Sequence, residues 1–397
     1  MSKGKSLTVW VDDVRSGTLV QEERRKCVFG YEKGVNETVS LTMPVRLESW
    51  VTPDLHPIFQ MNLPEGDLLG AIRRAISKIV GDDDFSILLA TGGNQIGRNR
   101  FSQSEENLPI EQAEKESLED LLTYPDTVEL FHELINRYAI RSGVSGVQPK
   151  VLLDATERGS LSASGYIVKA WGADYPQLAA NEYFCMTAAR NAGLTVSDFH
   201  LAENGGLFVM KRFDRTEDGA TLGFEDMCSL QALGASQKYH GTYERVAKTL
   251  KDFVSGENLH LARRQLFSTI VLSSMVRNGD AHLKNFGVIY HSSENEVSMA
   301  PVYDVVTTSA YIEKDVPALA LEGTKKWWPR KMLEHYALHR LAMTKKEIEM
   351  AIENLANSVM ETRQMIPAYI ADHPEFREVG ENMMSIWEEG VHDFFPN

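Results

Sequence analysis

The chain has 397 residues, of which 43% are hydrophobic, and this length suffices for two or three packed domains of roughly 100–200 residues each. Its 41 basic and 56 acidic side chains leave a formal net charge of -15, which argues against DNA binding over the surface as a whole because phosphate backbones are also anionic. The three scattered cysteines indicate no disulfide framework or zinc site, and no stretch has the ~18 apolar residues of a membrane span, so we expect a cytoplasmic protein that contacts no membrane.

The N-terminal part of the chain begins with short alternating apolar runs. Within residues 7–45, the segments LTVWV, KCVFGY and VSLTM have the alternation that is typical of half-buried strands joined by turns. Residues 65–80 have helical apolar spacing, and a Gly-rich segment follows at residues 91–98. The polar run 103–119 is a candidate linker, although its second half is also compatible with an exposed helix. We therefore predict a β-rich N-terminal subdomain over residues 1–110.

The middle of the chain carries four segments with strand patterns, KVLLD, GYIVKAW, FHLAE and GLFVMKRF. The last two are joined by an Asn-Gly dipeptide at 204–205, which strongly predicts a hairpin turn. Before that hairpin, residues 178–192 have helical apolar spacing and end at Gly193. From residue 242 onward the spacing is mostly helical, with one interruption at residues 286–303. The chain thus passes from a β-rich half to a helical half.

The segment NGDAHLKN (278–285) places Asp280 and Asn285 five positions apart, directly after a long apolar helix. This is the D-x-x-x-x-N spacing of a kinase catalytic loop. Phosphoryl transfer needs a carboxylate that accepts the proton of the substrate hydroxyl, and it needs oxygen ligands that hold Mg²⁺ on the ATP phosphates. Asp280 fits the first role and Asn285 fits the second. On its own, however, this spacing more often marks a capping Asp beside a turn Asn.

The segments that follow add a second signal. FGVIY (286–290) and VSMAPV (297–302) bracket a polar turn, and the second of them leads to Asp304. In kinases, a short hairpin likewise separates the catalytic loop from a metal-binding Asp. Because Mg²⁺ usually takes only one or two protein side chains, Asn285 and Asp304 would suffice together with phosphate oxygens and water. The two signals combined favour a metal site, although Val-Val follows Asp304 where typical protein kinases have Phe-Gly.

A lysine and a glutamate are candidates for the nucleotide site. Lys169 lies inside the apolar strand pattern YIVKA, where its charge must find an anionic partner or reach solvent. ATP phosphates are such a partner, and an edge-strand lysine that prevents aggregation is the alternative. Glu182 lies on the predicted helix 178–192 and could pair with Lys169, although a solvent-exposed acid is equally compatible with the pattern.

Two further segments have positions that suit nucleotide binding. SGVSGVQPK (142–150) precedes a strand and is similar to a phosphate-covering loop, but it matches neither G-x-G-x-x-G nor G-x-x-x-x-G-K-[ST]. KRFDR (211–215) ends the predicted hairpin where a kinase hinge would lie, so its backbone could bind adenine while Asp214 reaches a ribose hydroxyl. A surface cluster of ion pairs explains the second segment equally well.

Taken in chain order, these segments resemble the HipA family of toxin–antitoxin kinases, from about Tyr138 to Thr308. The segments that carry the resemblance are SGVSGVQPK, YIVKAW, NEYFCMTAARNAGL, VMKRFDR, EDMCSLQALG, GDAHLKNFGV and PVYDVV. NLPEGDLLGAIRR and GRNRF look like the extra N-terminal subdomain of that family. The resemblance implies an α+β, bilobal protein-kinase-like fold, with a β-rich small lobe at residues 125–215 and a helical large lobe at residues 216–397.

The resemblance also implies roles for individual residues. Asp280 would be the catalytic base, with Lys169 and His282 as further catalytic residues, and Asn285 and Asp304 would hold Mg²⁺. The ATP site would comprise Gly143, Val144, Ser145, Gly146, Val147, Gln148, Lys150, Lys169, Lys211, Phe213, Asp214, His282 and Lys284. Well-known members carry a self-phosphorylated serine at the position of Gly143, whereas this chain has Ser142 and Ser145 nearby. Ser145 matches the position that a three-component relative uses, and we favour it.

The family implies partners as well. We expect inhibition by a small helix-turn-helix antitoxin like HipB, contact with operator DNA only through that antitoxin, and a protein substrate such as an aminoacyl-tRNA synthetase. A small-molecule or lipid kinase is an alternative, because the G-D-x-H-x-x-N form around His282 also resembles phosphoinositide-kinase-like enzymes. A pseudokinase that serves as a corepressor is a second alternative. The joint presence of Asp280, Asn285, Asp304 and Lys169 argues against it.

Overall fold

The structure is a computed structural model, and it describes residues 5–22, 25–65, 69–70, 72, 81, 83–103, 115–138, 142–143, 148–158, 163–292 and 296–395. The chain forms two compact units. The first unit comprises residues 1–170, 210–237 and 288–297, and the second comprises residues 171–209, 238–287 and 298–397. No helix within the described ranges is both long and apolar enough to cross a membrane.

The strands, in chain order, are β1 (Lys5–Val11), β2 (Val14–Gln21), β3 (Cys27–Tyr31), β4 (Trp50–Thr52), β5 (Asn94–Gln95), β6 (Asn99–Ser102), β7 (Glu116–Ser117), β8 (Ser142–Gly143), β9 (Lys150–Thr156), β10 (Ala163–Lys169), β11 (Phe199–Leu201), β12 (Phe208–Lys211), β13 (Gly223–Asp226), β14 (Gly287–Tyr290) and β15 (Ser298–Met299). The helices are α1 (Pro57–Gln60), α2 (Asp84–Thr91), α3 (Leu118–Thr123), α4 (Thr127–Tyr138), α5 (Leu178–Asn191), α6 (Met227–Leu230), α7 (Tyr243–Phe253), α8 (Gly256–Met275), α9 (Arg330–Arg340), α10 (Lys345–Arg363), α11 (Ile366–Asp372) and α12 (Arg377–His392).

The first unit opens with a five-stranded sheet in the order β4-β3-β2-β1-β6. Its alternating residues, among them Leu7, Val9 and Leu19, are at most 1% exposed, so one face of the sheet carries the core. The strand predictions for LTVWV and KCVFGY are therefore confirmed. Gly17 is needed at its position because a Cβ atom there would lie 2.5 Å from the carbonyl oxygen of Gly30.

One predicted strand is wrong. Residues 39–43 form a turn, in which the Met43 amide donates to the Ser40 carbonyl at 3.0 Å. This turn places two hydrogen-bond donors next to the buried carboxylate of Glu225. The carboxylate accepts from the Ser40 hydroxyl at 2.7 Å and from the Leu41 amide at 2.6 Å. The Tyr290 hydroxyl donates to the same carboxylate at 2.9 Å. The hydrogen bonds to this buried carboxylate contribute more free energy than the local strand propensity of VSLTM.

A second sheet of the first unit is built on β9 and β10. They pair antiparallel in a register that places Lys150 directly opposite Lys169, and β7 runs parallel to β9. The chain that returns at residue 210 continues beside β10, because the Arg212 amide donates to the Gly165 carbonyl at 2.9 Å. The predicted helix 65–80 and linker 103–119 fall largely outside the described residues.

A buried ion pair ties this part of the first unit together. Arg212 donates to both carboxylate oxygens of Asp214, at 2.9 and 2.6 Å, and the Gly97 amide donates to the same carboxylate at 2.7 Å. Arg212 also donates to the Asn94 side chain at 2.9 Å and to the Gln95 carbonyl at 2.6 Å. Burial favours the neutral acid, but the Arg212 charge prevails and holds the pKa of Asp214 below its ordinary value.

The second unit is mainly helical, as predicted for residues from 242 onward. Helix α10 begins with a capping box, in which the Thr344 side chain accepts from the Glu347 amide while the Glu347 carboxylate accepts from the Thr344 amide. Helices α8 and α12 pack closely, since a Cβ atom on Gly390 would lie 2.0 Å from the Met275 carbonyl oxygen. The predicted helix 178–192 is confirmed as α5, with Gly193 in the left-handed conformation directly after its C-cap.

The ion pair of the first unit yields a stability prediction. Asp214→Ala leaves the Arg212 guanidinium buried without its carboxylate, so the free energy of unfolding should fall by about 3–5 kcal/mol. Glu119→Ala is the matched control, because Glu119 and Arg158 form an exposed pair and should contribute no more than about 1 kcal/mol. Urea unfolding measures both, and equal losses would contradict the structural role of Asp214.

Candidate active site

The end of helix α8 sets the direction of the loop that carries Asp280. Arg277 adopts the left-handed conformation, with φ of 54°, and the Asn278 amide donates back to the Ser273 carbonyl at 2.8 Å. This is the hydrogen-bond pattern that ends a helix sharply. The Asn278 side chain then accepts from the Asp280 amide at 3.1 Å. These hydrogen bonds fix the backbone conformation at Asp280.

The loop continues through a short 3₁₀ turn, Leu283–Asn285. The His282 amide donates to the Asp280 carbonyl at 2.7 Å and to Oδ1 of Asn285 at 2.9 Å. The Asn285 amide donates in return to the His282 carbonyl at 3.0 Å. Lys284 is buried, and its carbonyl accepts from the Tyr303 hydroxyl at 2.6 Å. His282 and Lys284 thus hold the shape of the loop between the two predicted active residues.

Asn285 and Asp304 lie side by side. Nδ2 of Asn285 donates to Oδ2 of Asp304 at 3.0 Å. Asp304 has a φ of 61°, a left-handed conformation that is uncommon for a residue other than glycine and that often marks functional positions. This hydrogen bond brings together two side chains that are 19 residues apart in the sequence.

The segment after Asp304 is anchored in the core of the second unit. Thr307 is fully buried, and its amide and carbonyl bond to the Asn181 side chain at 2.8 and 3.1 Å. The indole Nε1 of Trp387 donates to the Thr307 hydroxyl at 2.7 Å. Helices α5 and α12 thereby hold the unusual backbone of Asp304 in place.

Asp280 lies in a desolvated position near other charges. Burial is the main cause that raises the pKa of its carboxyl to about 6, and the carboxylates of Asp304 and Asp315 contribute in the same direction. The Tyr239 hydroxyl, which donates to Oδ1 of Asp280 at 2.8 Å, and the charge of Lys238 act in the opposite direction. An acid with such a pKa is largely ionised at neutral pH and accepts a proton readily, as a general base must.

A glycine is required next to Asp280. The Gly279 amide donates to the Thr308 hydroxyl at 2.6 Å, and that hydroxyl also bonds to the Arg277 carbonyl and to Asp315. A Cβ atom on Gly279 would lie 2.1 Å from a carboxylate oxygen of Asp315. Thr308 and Asp315 therefore hold the backbone beside Asp280 in place. No motif spacing in the sequence predicts this contact.

The donor set fits Mg²⁺. Asn285 and Asp304 offer an amide oxygen and a carboxylate, and Mg²⁺ prefers such oxygen ligands while retaining phosphate oxygens and water. Within the part of the chain that the structure describes, there is no group of three or more His, Cys, Asp or Glu side chains that could hold a metal ion by itself.

The first unit contains the other predicted nucleotide residues. Lys150 and Lys169 are 4% and 3% exposed and stand opposite each other on β9 and β10, so their side chains leave the same face of the sheet. The sequence predicts that both lysines bind the nucleotide, and the register of β9 and β10 places them next to each other. Glu182, the predicted partner of Lys169, is fully buried on α5 in the second unit.

The residues that are predicted to contact adenine and ribose interact with other side chains of the first unit. The Lys211 ammonium pairs with Glu157 at 3.3 Å, and the Phe213 ring contacts the edge of Phe224 with centroids 5.3 Å apart. Asp214 is fully buried and bonded to Arg212, which favours a structural role over the predicted ribose contact.

The phosphate-covering loop is described only at its ends. The backbone of Ser142 and Gly143 forms β8, which pairs parallel with β5, and Gln148 is partly buried before β9. The predicted residues Val144, Ser145, Gly146 and Val147 lie outside the described residues.

Two family models match the sequence. One, described as the HipA-like C-terminal domain, matches residues 142–363, and the other, the HipA N-terminal domain, matches residues 7–102. A protein of Sinorhizobium fredii named "Putative kinase Y4dM" is 30% identical over 213 residues, which are 47% of this chain and 50% of that protein. A Haemophilus influenzae protein named "Putative kinase" is 31% identical over 188 residues, which are 43% of this chain and 54% of that protein. The chain thus spans about half the length of these two relatives.

A solved structure matches nearly the whole chain. It is the Shewanella oneidensis toxin–antitoxin system HipA, HipB and its operator DNA complex, with a TM-score of 0.71 at 20% identity, covering 98% of this chain and 97% of that one. At this identity the match concerns the fold, and it confirms the α+β fold predicted from the sequence.

The raised pKa of Asp280 predicts a pH-dependent stability difference. Because the pKa in the folded protein is about 6, above the ordinary 3.8, the folded state binds the proton more tightly, and stability is lost as the pH rises between these values. Asp280→Asn removes this charge, so the variant should melt at a higher temperature than the wild type at pH 8, with the difference vanishing near pH 4. The exposed control Asp252→Asn should show no such trend. A variant less stable than the wild type at pH 8 would contradict the assignment.

Proposed function

The chain belongs to the HipA family, and on that premise we propose that it is a Mg-ATP-dependent serine/threonine protein kinase that acts as the toxin of a toxin–antitoxin system. The observation that carries the proposal is the constellation of Asp280, Asn285 and Asp304 within one unit. Relatives named as putative kinases support phosphoryl transfer in the family. A translation-related protein, such as an aminoacyl-tRNA synthetase, is the proposed substrate.

Each residue has a defined task in the proposed reaction. When bound, Mg-ATP supplies the γ-phosphoryl group and the cation that neutralises its charge. Asn285 and Asp304 would hold the cation by their side-chain oxygens. Asp280 accepts the proton of the acceptor hydroxyl as the new P–O bond forms and the bond from the γ-phosphorus to the bridging oxygen breaks, with ADP as the leaving group. Desolvation around Asp280 strengthens these electrostatic interactions.

Two substitutions distinguish the proposed role of Asp280 as the base from the proposed role of Asp304 as a metal ligand. Asp280→Asn should lower the rate of phosphoryl transfer by about 10²–10⁴-fold and leave the affinity for Mg-ATP within a few-fold, because the base acts on the acceptor rather than on ATP. Asp304→Ala should also weaken Mg-ATP binding, because it removes a charged ligand. Calorimetry and transfer of ³²P measure both properties, with Asp252→Asn as an exposed control. Turnover that survives Asp280→Asn, or Mg-ATP binding unaffected by Asp304→Ala, would refute the roles.

We also predict self-phosphorylation on the loop serine, with Ser145 favoured over Ser142. Ser145 directly precedes Gly146 in the segment proposed to cover the phosphates, and a phosphate there adds about -1.5 to -2 charge units. The modified loop should therefore repel ATP, and activity should fall. Ser145→Ala should bind ATP without becoming modified. Peptide mass spectrometry decides, and phosphate found only on Ser142, or persisting in Asp280→Asn protein, excludes the proposal.

A basic helix-turn-helix antitoxin is the proposed partner. A chain with a net charge of -15 cannot neutralise the phosphates of an operator by itself. The Shewanella HipA structure contains HipB and operator DNA, which supports the same arrangement here. In gel shifts at physiological salt, this chain alone should bind DNA weakly and join a complex only with the antitoxin. Tight binding by the isolated chain would contradict this prediction.

A further inference from the structure

Residues 238–243 lie along the catalytic loop. The Leu283 amide donates to the Lys238 carbonyl at 3.1 Å, and the Tyr243 hydroxyl donates to the Ala281 carbonyl at 3.3 Å. Between these contacts, a Cβ atom on Gly241 would lie 2.9 Å from the Leu283 side chain. The segment is therefore fixed to the loop by hydrogen bonds on either side of Tyr239.

Tyr239 reaches from this segment to the proposed base. Its hydroxyl donates to Oδ1 of Asp280 at 2.8 Å, and its ring meets the His282 ring edge-on with centroids 5.1 Å apart. The Tyr239 carbonyl accepts from the Lys325 ammonium at 3.2 Å. The ring and the backbone are both held, so the phenol is presented to Asp280 in a fixed direction although 41% of the residue is exposed.

We propose that Tyr239 is a positioning residue for phosphoryl transfer, whose hydroxyl holds Oδ1 of Asp280 and leaves Oδ2 to accept the proton of the substrate hydroxyl. The inference rests on the proposed kinase function. A carboxylate with neither oxygen held rotates about its terminal bond, and a general base works only when its accepting lone pair points at the proton. One fixed hydrogen bond to the first oxygen removes that rotation and contributes to the preorganisation of the site.

The surroundings of Asp280 make such an anchor necessary. The carboxylates of Asp304 and Asp315 both repel it, while Lys238 attracts it from the same segment as Tyr239. Charges alone attract or repel the carboxylate without fixing its angle. The Tyr239 hydroxyl supplies that direction because a hydrogen bond, unlike a charge, depends on angle.

The test compares Tyr239→Phe with Tyr239→Leu and with the control Tyr175→Phe, since Tyr175 is exposed to a similar extent, 42% against 41%. The measured quantities are the rate constant for self-phosphorylation at saturating Mg-ATP and the Mg-ATP concentration that gives half of that rate. Tyr239→Phe keeps the ring but lacks the hydroxyl, so its rate constant should fall about tenfold while the half-saturating concentration changes less than about twofold. Tyr239→Leu should lose at least as much, and Tyr175→Phe should match the wild type.

Several outcomes would overturn the inference. A Tyr239→Phe protein as active as the wild type, with only Tyr239→Leu impaired, would mean that the ring merely packs. A faster Tyr239→Phe protein would mean that the hydroxyl blocks the acceptor position, and phosphotyrosine at 239 in the wild type would mean that it is itself an acceptor. A wild type that transfers no phosphate at all refutes the proposed function and this inference together, whereas an active wild type with an indifferent Tyr239→Phe refutes the inference alone.

Discussion

The proximity of Asp280 and Asp304 is the constraint on which the candidate site depends. Burial is the main cause of the raised pKa of Asp280, and repulsion by the carboxylate of Asp304 acts in the same direction. The Asn285 amide offsets part of the cost by donating to Asp304 at 3.0 Å. A divalent cation bound by Asn285 and Asp304 would reduce the remaining repulsion between the two carboxylates. An arrangement of this kind costs stability in the free protein and is compensated by the surrounding fold.

That compensation is visible in how the second unit holds its loops. The left-handed backbone of Asp304 is followed by Thr307, which is bonded to Asn181 and Trp387 in the core. Likewise, the left-handed Arg277 turns the chain out of helix α8 into the catalytic loop. Helices thus support two uncommon backbone conformations, one at Arg277 before the loop that carries Asp280 and one at Asp304 in the candidate site. Sites built on such supports keep their geometry better than sites on free loops.

The sequence predicts most of the secondary structure and the pairing of Asn285 with Asp304. Those residues are separated by a short hairpin, so local spacing is enough to bring them together. The turn at residues 39–43 could not be predicted, because its backbone follows the needs of Glu225, which lies about 185 residues away. The ion pair of Arg212 with Asp214 was equally hidden, since a charged run in a sequence does not reveal that the fold buries it.

Residues that act on Asp280 from a distance in the chain were also missed. Tyr239 is 41 residues from Asp280, and Thr308 is 29 residues from Gly279. No motif spacing connects such pairs, because their contact arises from the packing of separate loops in the second unit. Spacing therefore identifies the groups proposed to do the chemistry, whereas only the fold identifies the groups that orient them.

Direct observation of the proposed cation site is the most decisive measurement. Mn²⁺ replaces Mg²⁺ in the ATP complex of protein labelled with ¹³C in its aspartate carboxyl groups, and pulsed electron–nuclear double resonance detects carboxylates bonded to the ion. The proposed site predicts a strong ¹³C coupling in the wild type that disappears in Asp304→Ala and persists in Asp280→Asn. Identical spectra for the wild type and Asp304→Ala, with couplings to phosphate and water alone, would contradict the assignment of Asp304 as a metal ligand.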